Sequence, residues 1–187
     1  LFSFPVRHIY ITKIDALPII EALIKMSFSS RDLGRASNMF KQAVDDKDCS
    51  VILTLAGSTS AGGCMDVYRD LVKYGMVDAI VSTGASIVDM DFFEALGYKH
   101  YQADSMVDDN ELRDLYIDRI YDTYIDEEEL QACDQVIKEI TDSLERRPYS
   151  SREFIWEMGK WLKTNAKKKG SLVETCYDHN VPIFVHA

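Results

Sequence analysis

Two short apolar runs, each closed by a turn of very small residues, constrain this chain more than any other feature. Val51-Ile52-Leu53-Thr54-Leu55-Ala56 leads into Gly57-Ser58-Thr59-Ser60-Ala61-Gly62-Gly63. Asp78-Ala79-Ile80-Val81-Ser82-Thr83 leads into Gly84-Ala85-Ser86. A mostly apolar run of this length, bounded by glycine, reads as a strand buried on both faces, the kind that parallel sheets use. Met65 to Tyr74 between them reads as a helix, with Gly75 as its C-cap. Strand, glycine loop, helix, strand is one βαβ unit. Val181-Pro182-Ile183-Phe184-Val185 reads as a third strand, with Pro182 confined to its start or to an edge.

The rest of the chain reads as helical. Ile14 to Met26 is a helix with Pro18 in its first turn. Ser29-Ser30 offers an N-cap for Arg31 to Asp45. Asp89 to Leu96 is a short helix ended by Gly97, and Asn110 to Tyr121 is expected as one helix. Asp126 with Glu129, and Ser150 with Glu153, are capping-box signatures ahead of two longer helices. Lys167-Lys168-Lys169 is placed in the last turn of the second of these, before Gly170, and Ser171 to His179 is a further helix. The expected architecture is therefore α/β: a doubly wound, largely parallel, Rossmann-like sheet with covering helices. The 187 residues suit a single domain. Because the sequence stops just after a strand, residues 1–187 are expected to be the N-terminal part of a longer domain, truncated at the C-terminus.

Charge and cysteine usage exclude several functions. The formal net charge is −10, which repels phosphate backbones and welcomes a cationic amine. Nucleic acid is not an expected partner. No apolar run reaches the roughly 18–20 residues that span a bilayer, so no membrane association is expected. Leu1 to Arg7 lacks the basic start of a secretory signal. Cys49, Cys64, Cys133 and Cys176 form no CxxC pair and have no histidine three or four residues away, so no metal site is expected. Their wide spacing suits buried free thiols in a reducing cytoplasm.

The Gly57–Gly63 loop is the sharpest chemical feature. At the C-terminal end of a strand and the start of a helix, small residues let an anionic group reach the backbone N–H groups. The loop is neither a GxGxxG fingerprint nor a P-loop, which needs a lysine, so spacing leaves phosphate binding and a plain tight turn both open. Thr83-Gly84-Ala85 makes a second such turn, and two on neighbouring strands form a wider shelf. Asp89 and Asp91 follow directly. They read either as carboxylates at the mouth of the site or as caps at a helix start.

The segments Leu55 to Gly63, Tyr74 to Ala85 and Phe92 to Gly97 resemble the deoxyhypusine synthase family, closest to its prokaryotic deoxyhypusine-synthase-like branch and related to homospermidine synthase. Ser151 to Trp156 and Asn180 to Phe184 share the likeness, which extends to His8, Phe28, Arg31 and Asp32. The resemblance implies a cytoplasmic NAD-dependent transferase that moves an aminobutyl group from the polyamine spermidine to an acceptor amine. The acceptor is a protein lysine or a free diamine, as in homospermidine synthase. It implies NAD binding at Gly57, Ser58, Thr59, Ser60, Ala61, Thr83, Gly84 and Ala85. Asp89 would touch cofactor and substrate, and Asp91 would touch substrate. The spacing after the second turn differs by about one residue from the family's eukaryotic pattern. The resemblance also implies a homo-oligomer, a tetramer. The family's covalent lysine falls outside this sequence, so no catalytic residue is assigned here and residues 1–187 alone are expected to be inactive. A non-catalytic nucleotide-binding or regulatory paralogue is the alternative.

Other residues read as ordinary structure. Asp114, Asp118 and Asp122, spaced four apart, suit a solvated helix face. Lys160 superficially matches a lysine motif but lies inside a helix. His100 reads as a turn or interface residue, and His8 and His179 show no partner in sequence.

Overall fold

Pairing of the two glycine-closed runs organises the molecule. The computed structural model describes residues 4–186, so Leu1–Ser3, the first three residues of the segment read for a secretion signal, and Ala187 lie outside the described residues. The chain begins with β1 (Phe4–Pro5), a 3-10 turn (Ile11–Lys13), α1 (Leu17–Ile24) and α2 (Phe28–Asp45). It continues through β2 (Ile52–Leu55), a π-helical turn (Ser60–Cys64) and α3 (Met65–Lys73). β3 (Ala79–Thr83), a second π-helical turn (Ser86–Phe92) and α4 (Phe93–Ala95) follow. Then come β4 (Tyr101–Gln102), α5 (Asp109–Asp114), β5 (Ile117–Ile120) and β6 (Thr123–Asp126). α6 (Glu127–Ser143), α7 (Ser151–Asn165), α8 (Leu172–His179) and β7 (Ile183–His186) complete it.

The fold is α/β, but it is not one largely parallel sheet. β2, β3 and β7 form a parallel sheet in the order β2-β3-β7, with Leu53 opposite Ile80 and Ile80 opposite Ile183. The other four strands form a separate antiparallel sheet, β1-β4-β6-β5. The helix expected over 110–121 is replaced by α5 and the β5–β6 hairpin. Tyr116 adopts a left-handed backbone (φ 55°) that ends the helix, and Tyr121, also at φ 55°, turns the chain between the paired Ile120 and Thr123. Ile117 and Ile120 then serve strand packing. Asp114, Asp118 and Asp122 consequently fall on α5, β5 and the hairpin turn, not on one face. Tyr124 on β6 is buried and donates its hydroxyl to the Asp104 carbonyl at 2.7 Å, fixing the loop before α5.

β3, flanked on both sides, buries Ile80 completely. β2 lies at an edge, and Ile52 is 60% exposed, which corrects the expectation of a strand covered on both faces. Phe92, Phe93, Leu162 and Leu172 join Ile80 in the core. The expected caps hold for the later helices. Asp126 accepts from the Glu129 N–H, and Ser150 and Glu153 form a reciprocal capping box; Ser171, expected only as the start of a helix, caps α8. α2 starts earlier than expected, with Ser27 at its N-cap position. Lys167–Lys169 lie beyond α7, because Ala166 is already extended. The N–H groups of Lys167 and Lys168 bond to the Ala95 carbonyl at 2.9 and 3.1 Å and pin this connector across α4.

α7 and α8 pack closely at Gly159. A Cβ there would lie 2.7 Å from Tyr177 Cβ and 2.9 Å from the Val173 carbonyl oxygen. Alanine is the better helix former by about 1 kcal/mol, but forcing atoms into a packed contact costs about 1–3 kcal/mol. Gly159→Ala is expected to lower stability despite its helix propensity, read as a reduced urea midpoint; a raised midpoint would show that the helix pair can part without loss.

Candidate functional site

The register of β2 and β3, with Leu55 opposite Ser82, brings the two small-residue turns side by side at the C-terminal ends of parallel strands. They are tied directly: Ser86 Oγ donates to the Gly57 carbonyl at 3.1 Å and lies 3.3 Å from Thr83 Oγ1. Gly57 adopts φ +66°, a conformation that glycine takes without strain. Both turns then wind as π-helical turns. In the first, Gly62 N–H bonds to the Ser58 carbonyl and Cys64 N–H to the Thr59 carbonyl. A π turn is wider than an α turn and is frequent at functional sites.

The expected site residues divide by exposure. Gly57, Thr59 and Ala85 are exposed, and Ser58, Thr83, Gly84 and Asp89 are half-buried. Ser60 and Ala61 are each 1% exposed, so their side chains lie inside the turn. Thr59 Oγ1 meets the Tyr68 hydroxyl at 2.7 Å. Ser60 Oγ has no hydrogen-bond partner among the described residues. A Cβ placed on Gly62 would meet nothing within 4 Å, and one on Gly84 would meet only Val185 Cγ1 at 3.9 Å. Open space over glycines beside an orphaned buried hydroxyl fits a bound nucleotide better than a filled turn.

The two aspartates part company. Asp91 is buried, and its two oxygens accept the N–H groups of Leu172 and Val173 at 2.7 and 2.8 Å. It therefore caps α8 from across the fold, and the expectation that it touches substrate is corrected. Burial pushes its carboxyl up to about 6 against the lowering effect of those two N–H groups. Asp89, in the second π turn, remains available. Burial raises its carboxyl above the ordinary value, and Asp134 on α6 adds repulsion.

A second constellation lies behind the turns. Glu94 of α4 is 8% exposed, with Oε2 2.7 Å from His8 Nε2 and 2.6 Å from Lys168 Nζ. Its Oε1 lies 3.1 Å from His100 Nδ1. Burial opposes the charge on Glu94, but the bonds from His100, His8 and Lys168 outweigh it and hold the carboxyl far below the carboxylate range. Sequence reasoning left His8 and His100 without partners. Eighty-six residues separate His8 from Glu94, so no local spacing could pair them.

The remaining candidates stay structural. Lys160 is exposed on α7 and pairs with Glu157 at 3.3 Å, and His179 is exposed near the end of α8. All four cysteines are free; Cys133 and Cys176 are buried as expected, whereas Cys64 is half-buried and Cys49 exposed. Among the described residues no cluster of histidine, cysteine, aspartate or glutamate is arranged to hold a metal ion, and no helix is long and apolar enough to cross a membrane.

Comparison with known proteins follows the same lines. The deoxyhypusine synthase family model matches residues 18–187. The chain belongs to the deoxyhypusine synthase family. It is 70% identical over 183 residues to a deoxyhypusine synthase-like protein of Caulobacter vibrioides, covering 97% of this chain and 50% of that protein. It is 66% identical over 188 residues to one of Coxiella burnetii, covering 100% of this chain and 53% of that protein. The chain thus spans about half the length of these relatives. A structure from Entamoeba histolytica, assigned as a deoxyhypusine synthase, shares the fold with TM-score 0.64 at 20% identity, covering 96% of this chain and 61% of that one.

Removal of the Asp91 carboxylate strands two buried N–H groups, at about 1–3 kcal/mol each. Asp91→Ala is expected to destabilise the protein by about 2–5 kcal/mol in chemical denaturation. A loss below about 0.5 kcal/mol would return Asp91 to the list of ligand-facing carboxylates.

Proposed function

We propose that the full-length protein is an NAD-dependent aminobutyl transferase acting on spermidine, with these residues supplying one wall of its cofactor site. The observation that carries the reading is the pair of small-residue turns, tied by Ser86 to Gly57, at the ends of adjacent parallel strands. Family membership supports aminobutyl transfer as the general chemistry. The three parallel strands are read as part of a doubly wound nucleotide-binding sheet, and residues 1–187 as the N-terminal part of a longer single domain.

In this reading Gly57, Ser58 and Thr59 line the first turn, and Thr83, Gly84 and Ala85 the second. Their small side chains let a dinucleotide approach the backbone, and the α3 end of the first turn favours its phosphates. Ser60 Oγ, buried and unpartnered, supplies a further hydrogen bond from inside the turn, while Ala61 keeps the turn narrow. NAD, when bound, accepts the hydride that makes the polyamine reactive. Asp89, carried on the second π turn, is read as attracting a ribose hydroxyl or the cationic amine, which the net charge of −10 also attracts at long range. The site has to exclude water, because water hydrolyses an imine before transfer. The acceptor is an amine, either a protein lysine or a free diamine. Assembly as a homotetramer and a cytoplasmic location belong to the same reading.

Two substitutions in the full-length protein test it. Gly84→Leu has room for its Cβ and sends the rest of its side chain over the shelf. It is expected to abolish NAD binding in calorimetric titration while leaving the thermal midpoint near that of the parent. Asp89→Asn is expected to weaken NAD or spermidine binding by about 1.5–3 kcal/mol, the worth of a charged hydrogen bond. Unchanged affinities in both folded variants would remove the nucleotide site from these turns. Tight NAD binding with no transfer of label from spermidine to any amine would favour a non-catalytic binding paralogue.

A further inference from the structure

The segment from Phe4 to Ile9 lies over the first turn like a strap. β1 pairs with β4, Val6 N–H bonds to the His100 carbonyl at 2.8 Å, and Ile9 N–H bonds to the Gly63 carbonyl at 3.1 Å. Gly63 is the residue where the first π turn departs from helical geometry (φ +102°), and a Cβ on it would lie 2.9 Å from the Arg7 carbonyl oxygen. Between Val6 and Ile9 the strap is held through one side chain, His8, whose Nε2 meets Glu94. Its other ring nitrogen has no partner among the described residues. Glu94 lies two residues beyond the second π turn, which carries Asp89. One carboxylate therefore joins the strap over the first turn to the helix that continues the second.

We infer that Glu94 and His8 are positioning residues for the nucleotide site, holding the strap down on Gly63 so that both turns keep the shape that NAD requires. The inference rests on the nucleotide reading above and adds to it a dependence on pH. Every element around the ring contributes a charge: Glu94 from α4, Lys168 from the connector after α7, and Asp66 from α3, itself paired to Arg69 at 2.6 Å. His100, on the loop before β4, takes the other oxygen of Glu94. Burial disfavours the charged ring of His8, but the bond to Glu94 and its charge prevail and raise the imidazole above its ordinary 6.5. The sign follows. The charge-assisted part of the tie is fully present below the ordinary imidazole value and is lost as pH rises through the raised one, while the neutral ring keeps only an uncharged Nε2–H bond to Glu94. Glu94 titrates in the opposite sense, far below this window, and stays ionised throughout it. A cleft of about 330 Å³, lined by Val6, Glu94, Tyr98, His100 and Lys168 among others, opens beside the cluster and gives protons access from solvent.

The test uses the full-length protein as wild type, His8→Gln and Glu94→Gln, and reads two quantities between about pH 6 and about pH 8.5. One is the Kd for NAD. The other is hydrogen–deuterium exchange of the segment from Ser58 to Met65, corrected for intrinsic rates. In the wild type, the Kd is expected to rise by about threefold or more toward high pH, with faster exchange of the turn. In His8→Gln both are expected to be flat and close to the wild-type high-pH values. Glu94→Gln, which keeps an acceptor but loses the charge, is expected to match it. Wild-type profiles that do not change with pH, or a His8→Gln variant that keeps the wild-type profile, would overturn the inference. If no form binds NAD while exchange of the turn still follows His8, the nucleotide reading fails and the strap stands. If exchange is indifferent to His8→Gln, the strap fails whatever NAD does.

Discussion

Parallel pairing on both sides of β3 is the constraint on which the rest depends. Ile80, the second residue of that strand, has no exposed surface and is held between Leu53 and Ile183. Parallel strands must begin at one end of the sheet and leave at the other, so both crossovers return along its covered faces. The C-terminal ends of β2 and β3 thereby lie side by side, and the loops that leave them meet there. The glycine-rich turns stand there because of that topology. Their mutual bond, from Ser86 to Gly57, is short-range tailoring of a position that the sheet already dictates.

Two buried carboxylates extend this organisation. Asp91 and Glu94 lie one helical turn apart and reach in different directions: Asp91 to the first N–H groups of α8, Glu94 to two histidines and a lysine. A buried carboxylate is costly unless its lone pairs are used. Here both oxygens of each have partners. The segment after β3 thus serves as a hub on which the helix before β7, the Lys167–Lys169 connector and the N-terminal strap all converge.

Much of this was legible in the sequence because it is written locally. The βαβ unit, the caps at Asp126 and Ser150, and the turn glycines all depend on residues within a few positions of one another. The antiparallel sheet was not legible. Asp114, Asp118 and Asp122 share a helical period, and nothing nearby announces that Tyr116 and Tyr121 will adopt positive φ. Two-residue β1 exists only through its pairing with β4, which lies in the opposite half of the chain. Asp91 looked like a cap for its own short helix, yet the N-terminus it caps lies more than eighty residues away. Glu94, His8 and His100 were missed for the same reason: long-range polar contacts leave no periodicity.

The winding of the two turns has a consequence for how chain length can vary. A π turn holds an extra residue relative to an α turn, and its flanks keep their direction on either side. Ser86–Phe92 ends directly against Phe93, which is buried, and Ser60–Cys64 ends against Met65, also buried. One residue gained or lost within either turn would be taken up by a change of winding there. The core side chains that follow would keep their places. The lip of the shelf is thereby a part of the fold that can drift in sequence register without unseating the layer beneath it.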